Sequence, residues 1–108
     1  MDHFERLSHS VWDCKYHVIW IPKYRRKELY GDKRRVVVNT IKKWAQIKGV
    51  TIIEGHAMKD HIHLCLSIPP KYSVAGIIGL LKGKSASEVM SFGMKSSRMV
   101  RGRHFWAR

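Results

Sequence analysis

The stretch Asp60-His61-Ile62-His63-Leu64-Cys65-Leu66 places two imidazoles one residue apart inside an otherwise apolar run. In a β-strand, residues i and i+2 point to the same face, so His61 and His63 stand side by side while Ile62, Leu64 and Leu66 turn to the opposite, buried face. Two neutral imidazoles so arranged suit a divalent metal. They equally suit an ordinary solvent-facing pair on a basic protein, since a metal site usually needs a third protein ligand. Asp60 either orients an imidazole through a carboxylate hydrogen bond or simply makes the turn.

Two further clusters carry charge in places where chemistry is conceivable. Lys23, Arg25 and Arg26 surround Tyr24, which offers cations for phosphates and a ring on which an unpaired base can stack. The alternative is a solvated basic loop. Lys82-Gly83-Lys84-Ser85 resembles the tail of a phosphate-binding P-loop, but that motif requires glycine where Ile78 stands and a strand where a helix is expected. The P-loop reading fails. What survives is a helix end followed by glycine, with Lys82 and Lys84 placed to meet a nucleic-acid phosphate, against the plain reading of a solvated helix cap.

The global charge favours the nucleic-acid readings: 21 Lys+Arg against 8 Asp+Glu give a net charge of +13 in 108 residues. Such a field wants a polyanion, and nucleic acid returns counterion-release free energy to a protein that presents many cations. An anionic membrane is the weaker rival, because no segment joins a long apolar face to an all-basic one. No apolar run is long enough to span a bilayer. The first ten residues, MDHFERLSHS, lack the basic start and apolar run of a secretory signal, so a cytoplasmic location is expected. Cys14 and Cys65 form no metal or redox motif and are expected to be reduced core thiols.

The elements that must position these groups can be read from periodicity. Residues 11–21 alternate, with Trp12, Cys14, Tyr16, Val18 and Trp20 on one face and Asp13, Lys15 and His17 between them, and Pro22 ends the strand. A helix is expected from about 32 to 48, with Val37, Ile41, Trp44 and Ala45 on its apolar side, Asp32 as N-cap and Gly49 as the stop. Residues 50–58 and 61–68 read as an antiparallel hairpin turning at Lys59-Asp60. Ser73 caps a helix whose apolar side is Val74, Ile77, Ile78 and Leu81, and whose Gly76 and Gly79 suggest close approach of another backbone or a ligand. A second, weaker helix is expected over 84–95, then a basic loop over 96–104, then a strand-like Phe105-Trp106. One domain, residues 1–108, accounts for the whole chain.

Taken in order, KYHVIWIPKYRR, the first helix, DHIHLCLSIPPKYSV, LLKGKSA and the late FW resemble the small single-tyrosine transposases of bacterial insertion sequences, the histidine-hydrophobe-histidine (HUH) class. The resemblance runs from about His9 to Arg108. It implies an α+β, ferredoxin-like antiparallel sheet with helices packed on one face, and a homodimer paired through its sheets. It implies that His61 and His63 hold Mg²⁺ or Mn²⁺, and that the partner is single-stranded DNA carrying a hairpin. In that family a helical tyrosine attacks the scissile phosphate to leave a 5′-phosphotyrosine and a free 3′-OH, and a glutamine four residues after it completes the metal shell.

Neither that tyrosine nor that glutamine is found among these residues, so the expectation is a domain lacking the family's final strand and tyrosine helix and inactive by itself. Tyr16 is expected in the core, Tyr24 in a DNA-facing loop, and Tyr30 and Tyr72 as packing residues beside helices. A non-catalytic nucleic-acid-binding module is the competing reading. A bare metal-binding or ribosome-associated basic protein would explain the charge but not the order of the motifs.

Overall fold

A computed structural model of the chain describes residues 14–22, 29–92 and 105–107. Strand β1 (Cys14–Trp20) is followed by helix α1 (Gly31–Lys48), strands β2 (Thr51–Met58) and β3 (His61–Ile68), and helix α2 (Val74–Phe92). β3 lies in the middle of the sheet, antiparallel to β1 on one side and β2 on the other. Outside β1, Trp106 forms an antiparallel bridge with Pro22, and the Ala107 N–H donates to the Ile21 carbonyl at 2.8 Å. The spatial order is thus closing bridge, β1, β3, β2, and the chain order is β-α-β-β-α-bridge. This is the expected ferredoxin-like α+β arrangement.

Alternation in the strands decides which face is covered. Ile62, Leu64, Leu66 and Ile68 of β3 are buried, and Trp20 of β1 joins them with Tyr16 and Val18 packed alongside. Against that face lie Val37, Ile41 and Ala45 of α1, spaced four apart, and Ile77, Leu81 and Val89 of α2. Each fully buried aliphatic chain contributes about 1.5–3 kcal/mol. Both helices therefore sit on one face, and the other face of the sheet carries Lys15, His17 and Ile19, all exposed.

Several local expectations need correction. Helix α1 starts at Gly31, with Tyr30 at the N-cap position in extended backbone and no side-chain cap. Asp32 is instead in the first turn, where its carboxylate meets the positive end of the helix and pairs with Arg35 at 2.6 Å. Gly49 does end the helix: at φ +72° its N–H bonds to Gln46 and the N–H of Val50 to Ala45, the paired closure of a Schellman motif. Tyr30 is 58% exposed, so it is not a packing residue.

The two helices expected over 74–95 are one continuous helix, because the buried stripe Ile77, Leu81, Ser85, Val89 runs through Gly83 at unbroken i+4 spacing. Ser73 caps it, its Oγ accepting the Gly76 N–H at 2.9 Å. A Cβ at Gly76 would meet that Oγ at 2.8 Å, whereas nothing lies within 4 Å of one at Gly79. Within the chain, then, Gly76 lies against the cap and Gly79 faces open space, and neither is approached by another backbone. No described helix is long and apolar enough to cross a membrane.

Candidate metal and nucleic-acid site

His61 and His63 leave β3 on the face that the helices do not cover. Their neighbours follow from register. Across the sheet, His63 stands between Ile19 and His56, Cys65 between His17 and Glu54, and His61 opposite Met58. A bulge between Ile52 and Glu54 sets this alignment, since without the extra residue Ile53 the side chains of Glu54 and His56 would turn to the helix side.

Asp60 Oδ1 accepts a hydrogen bond from Nδ1 of His61 at 2.9 Å. That bond fixes the tautomer in which Nε2 keeps its lone pair, the arrangement by which a carboxylate orients a metal-ligating histidine. His63 Nε2 lies 3.5 Å from Nδ1 of His17. His56 is turned to Glu54, whose Oε2 is 2.8 Å from its Nε2. The Glu54 carboxyl is held below its ordinary value, first by this hydrogen bond, then by the charge of His56, with smaller help from His63 and His17 against a small opposing effect of burial. The donor set at His61 and His63 suits a divalent cation. Among the described residues, however, no three His, Cys, Asp or Glu side chains already converge on one point.

A family model described as "Transposase IS200 like" matches residues 10–108. The chain belongs to the IS200-like transposase family. It is 44% identical over 102 residues to the transposase for insertion sequence element IS200 of Salmonella typhimurium, which spans 94% of this chain and 67% of that protein. It is 29% identical over 96 residues to the ISDra2 transposase TnpA of Deinococcus radiodurans, spanning 89% of this chain and 69% of that protein. A crystal structure from Deinococcus radiodurans, also described as a transposase, superposes with a TM-score of 0.76 at 26% identity, over 88% of this chain and 73% of that one.

In this IS200-like chain the residues singled out from sequence fall into separate places. Lys23, Tyr24, Arg25 and Arg26 lie outside the described residues. Lys82 and Lys84 lie in the helix layer, on the other side of the sheet from the histidines. The Lys82 ammonium donates to the Ala107 carbonyl at 2.9 Å, and the Lys84 ammonium sits 4.6 Å from the centre of the Trp44 ring. Ser85, the last residue of the P-loop-like tetrapeptide, is fully buried and accepts the Trp106 indole N–H at 3.0 Å. Its role is in the core.

Sequence reading did not single out His17, Glu54 and His56. The signal for His17 was present, as a polar residue on the mixed face of an alternating strand, but which strand pairs with β3 is not written in that alternation. Cys65 is buried as expected, yet it faces the histidine side. The side chain of Cys14 lies outside the described residues.

Proposed function

We propose that this chain is the DNA-binding and metal-holding part of a transposase that cuts and rejoins single-stranded DNA at hairpin-bearing ends. The observation that carries this reading is the His61–His63 pair on the uncovered face of the central strand, with Asp60 fixing His61, in a chain of the IS200-like family. His61 and His63 would hold Mg²⁺ or Mn²⁺. A divalent cation, when bound there, polarises the scissile phosphate and offsets the charge that grows on it.

The chain's own residues do the rest. Asp60 holds His61 Nδ1, leaving Nε2 as the nitrogen free to ligate, and the cations of this chain of net charge +13, Lys84 and the sequence cluster Lys23, Arg25 and Arg26 among them, would draw in the phosphate backbone. Strand transfer needs a tyrosine hydroxyl to attack phosphorus, forming the 5′-phosphotyrosine and releasing the 3′-OH, which keeps the phosphodiester energy for rejoining. The same reading pairs the chain with a second copy through its sheet, where β2 is an outer edge among the described residues.

A second reading, a binding module without chemistry of its own, is favoured by where the described tyrosines sit. Tyr16 is on the helix side of β1, Tyr30 precedes α1, and Tyr72 packs against the core beside Lys48 and Lys71. None shares the histidine face.

Incubating the 108-residue chain with hairpin-bearing single-stranded DNA and Mn²⁺ separates the two. The binding-module reading expects tight, salt-sensitive binding and no covalent adduct. An adduct stable to denaturation would establish strand cleavage by this chain alone. Equal affinity for plain duplex at moderate salt would refute the single-strand specificity that both share.

A further inference from the structure

We propose that a strand of unpaired DNA crosses the uncovered face of the sheet from β1 over β3 to β2. His17 and Ile19 seat the nucleotide on one side of the phosphate at His61 and His63, and His56 and Met58 seat the nucleotide on the other. This rests on the reading of His61 and His63 as the centre that handles that phosphate, and extends it to four residues of the flanking strands.

Register carries the step. On β1, Ile19 is paired with His63, and His17 precedes it by two residues on the same face. On β2, His56 is paired with His63 and Met58 with His61. Each outer strand thus presents one imidazole and one large apolar side chain, two residues apart, beside the histidines of β3. Ile19 is 63% exposed and Met58 49%. Singly exposed apolar residues are ordinary on a surface. Two that bracket a histidine pair on one face give a sugar or a base something to lie on, without a hydrogen bond that would choose among bases.

The imidazoles supply the polar half of each seat. Nδ1 of His17 lies 3.5 Å from Nε2 of His63, and Nε2 of His56 lies 2.8 Å from Oε2 of Glu54. One nitrogen of each flanking ring is engaged, which orients the ring and leaves Nε2 of His17 and Nδ1 of His56 to meet a phosphate or a base edge. Ring centroids are 5.6 Å apart from His17 to His63 and 6.1 Å from His63 to His56, so three imidazoles follow one another from β1 to β2. Two inter-strand spacings separate the outer strands by about 10 Å. That is about three nucleotides at a stacked rise of about 3.4 Å, one over β3 and one on each side. The Glu54 carboxylate would repel phosphate, but it is paired with His56. Along β3 itself the next residue on this face is Cys65, which is buried, so a DNA strand crossing the β-strands finds contacts that one following β3 does not.

The test uses the full chain and a fluorescently labelled single-stranded oligonucleotide with EDTA present, so that no divalent cation contributes, and circular dichroism to confirm that each variant is folded. Replacing His17 and Ile19 together by alanine, and separately His56 and Met58 together by alanine, is expected to weaken binding about fivefold or more in each case. Ile47→Ala removes an apolar side chain on α1 that is 55% exposed and is expected to leave the affinity at the parent value. Dilute peroxide is expected to oxidise Met58 in the free chain, and bound oligonucleotide to protect it. Parent-like affinity in either double variant, an equal loss in Ile47→Ala, or a Met58 that oxidises at the same rate with and without DNA would overturn this inference and leave the reading of His61 and His63 standing. A parent chain that does not bind the single strand would overturn both.

Discussion

Trp106 donates its indole N–H to Ser85 Oγ at 3.0 Å, and the same hydroxyl donates to the Leu81 carbonyl at 2.7 Å. A single serine inside the apolar stripe of α2 thus anchors the segment that closes the sheet beyond β1. Trp106 also packs edge-on against Trp20 at 5.8 Å and Phe105 at 4.7 Å, so the hydrogen bond fixes an aromatic cluster as well as a strand edge.

Ser85→Ala leaves that indole N–H buried with its partner removed. The expected cost is about 1–3 kcal/mol, the penalty for an unpaired buried donor. Urea denaturation measures it. A loss below about 0.5 kcal/mol would mean that water reaches the indole and that the anchor is not what holds the segment.

Two glycines should respond to the same substitution with opposite signs. Gly49 closes α1 at φ +72°, where a Cβ crowds the following carbonyl, so Gly49→Ala is expected to destabilise by about 1–2 kcal/mol. Gly79 is inside α2 with nothing within 4 Å of an added Cβ, so Gly79→Ala is expected to stabilise by about 0.5–1 kcal/mol. Thermal melts of the two variants check both. A loss at Gly79 would show that this open helix surface is used by something outside the chain.

Alternation and i+4 spacing were enough to place β1, both helices and the hairpin, because each buries one face and leaves a periodic trace, as Val37, Ile41 and Ala45 do. The same local signals put a break into α2 where the helix is continuous. Gly83 looks like an end when propensity is counted residue by residue, but the stripe from Ile77 to Val89 is set by packing and overrides it. The histidine pair was legible from its spacing in β3. Its neighbourhood was not, because Glu54, His56 and His17 reach it only through strand register, and that register depends on a bulge at Ile53 with no mark in the composition.

Glu54 gives a pH signature of that neighbourhood. Its carboxyl is held below the ordinary value, chiefly by His56. A depressed folded-state value means that the contribution to stability is present above the ordinary carboxylate range and is lost as pH falls through the depressed value. Titration of the Glu54 side-chain carbonyl by NMR should show the low value, and His56→Ala should return it towards normal. An unchanged titration in that variant would assign the shift to another cause.

Lys82 and Lys84, adjacent but for one residue, should affect DNA binding differently. The Lys84 ammonium lies over the Trp44 ring, and a ring face neutralises no charge, so it remains able to meet a phosphate. The Lys82 ammonium is bonded to the Ala107 carbonyl and ties α2 to the closing segment. Removing one phosphate contact to single-stranded DNA lowers the slope of log affinity against log salt by about 0.7. Lys84→Ala is expected to show that change with the melting temperature unaltered. Lys82→Ala is expected to lower the melting temperature, with the salt slope closer to that of the parent chain. If Lys84→Ala leaves the slope untouched, the helix layer carries no phosphate there, and the DNA must be held from the histidine face of the sheet or from the basic segment at 23–27.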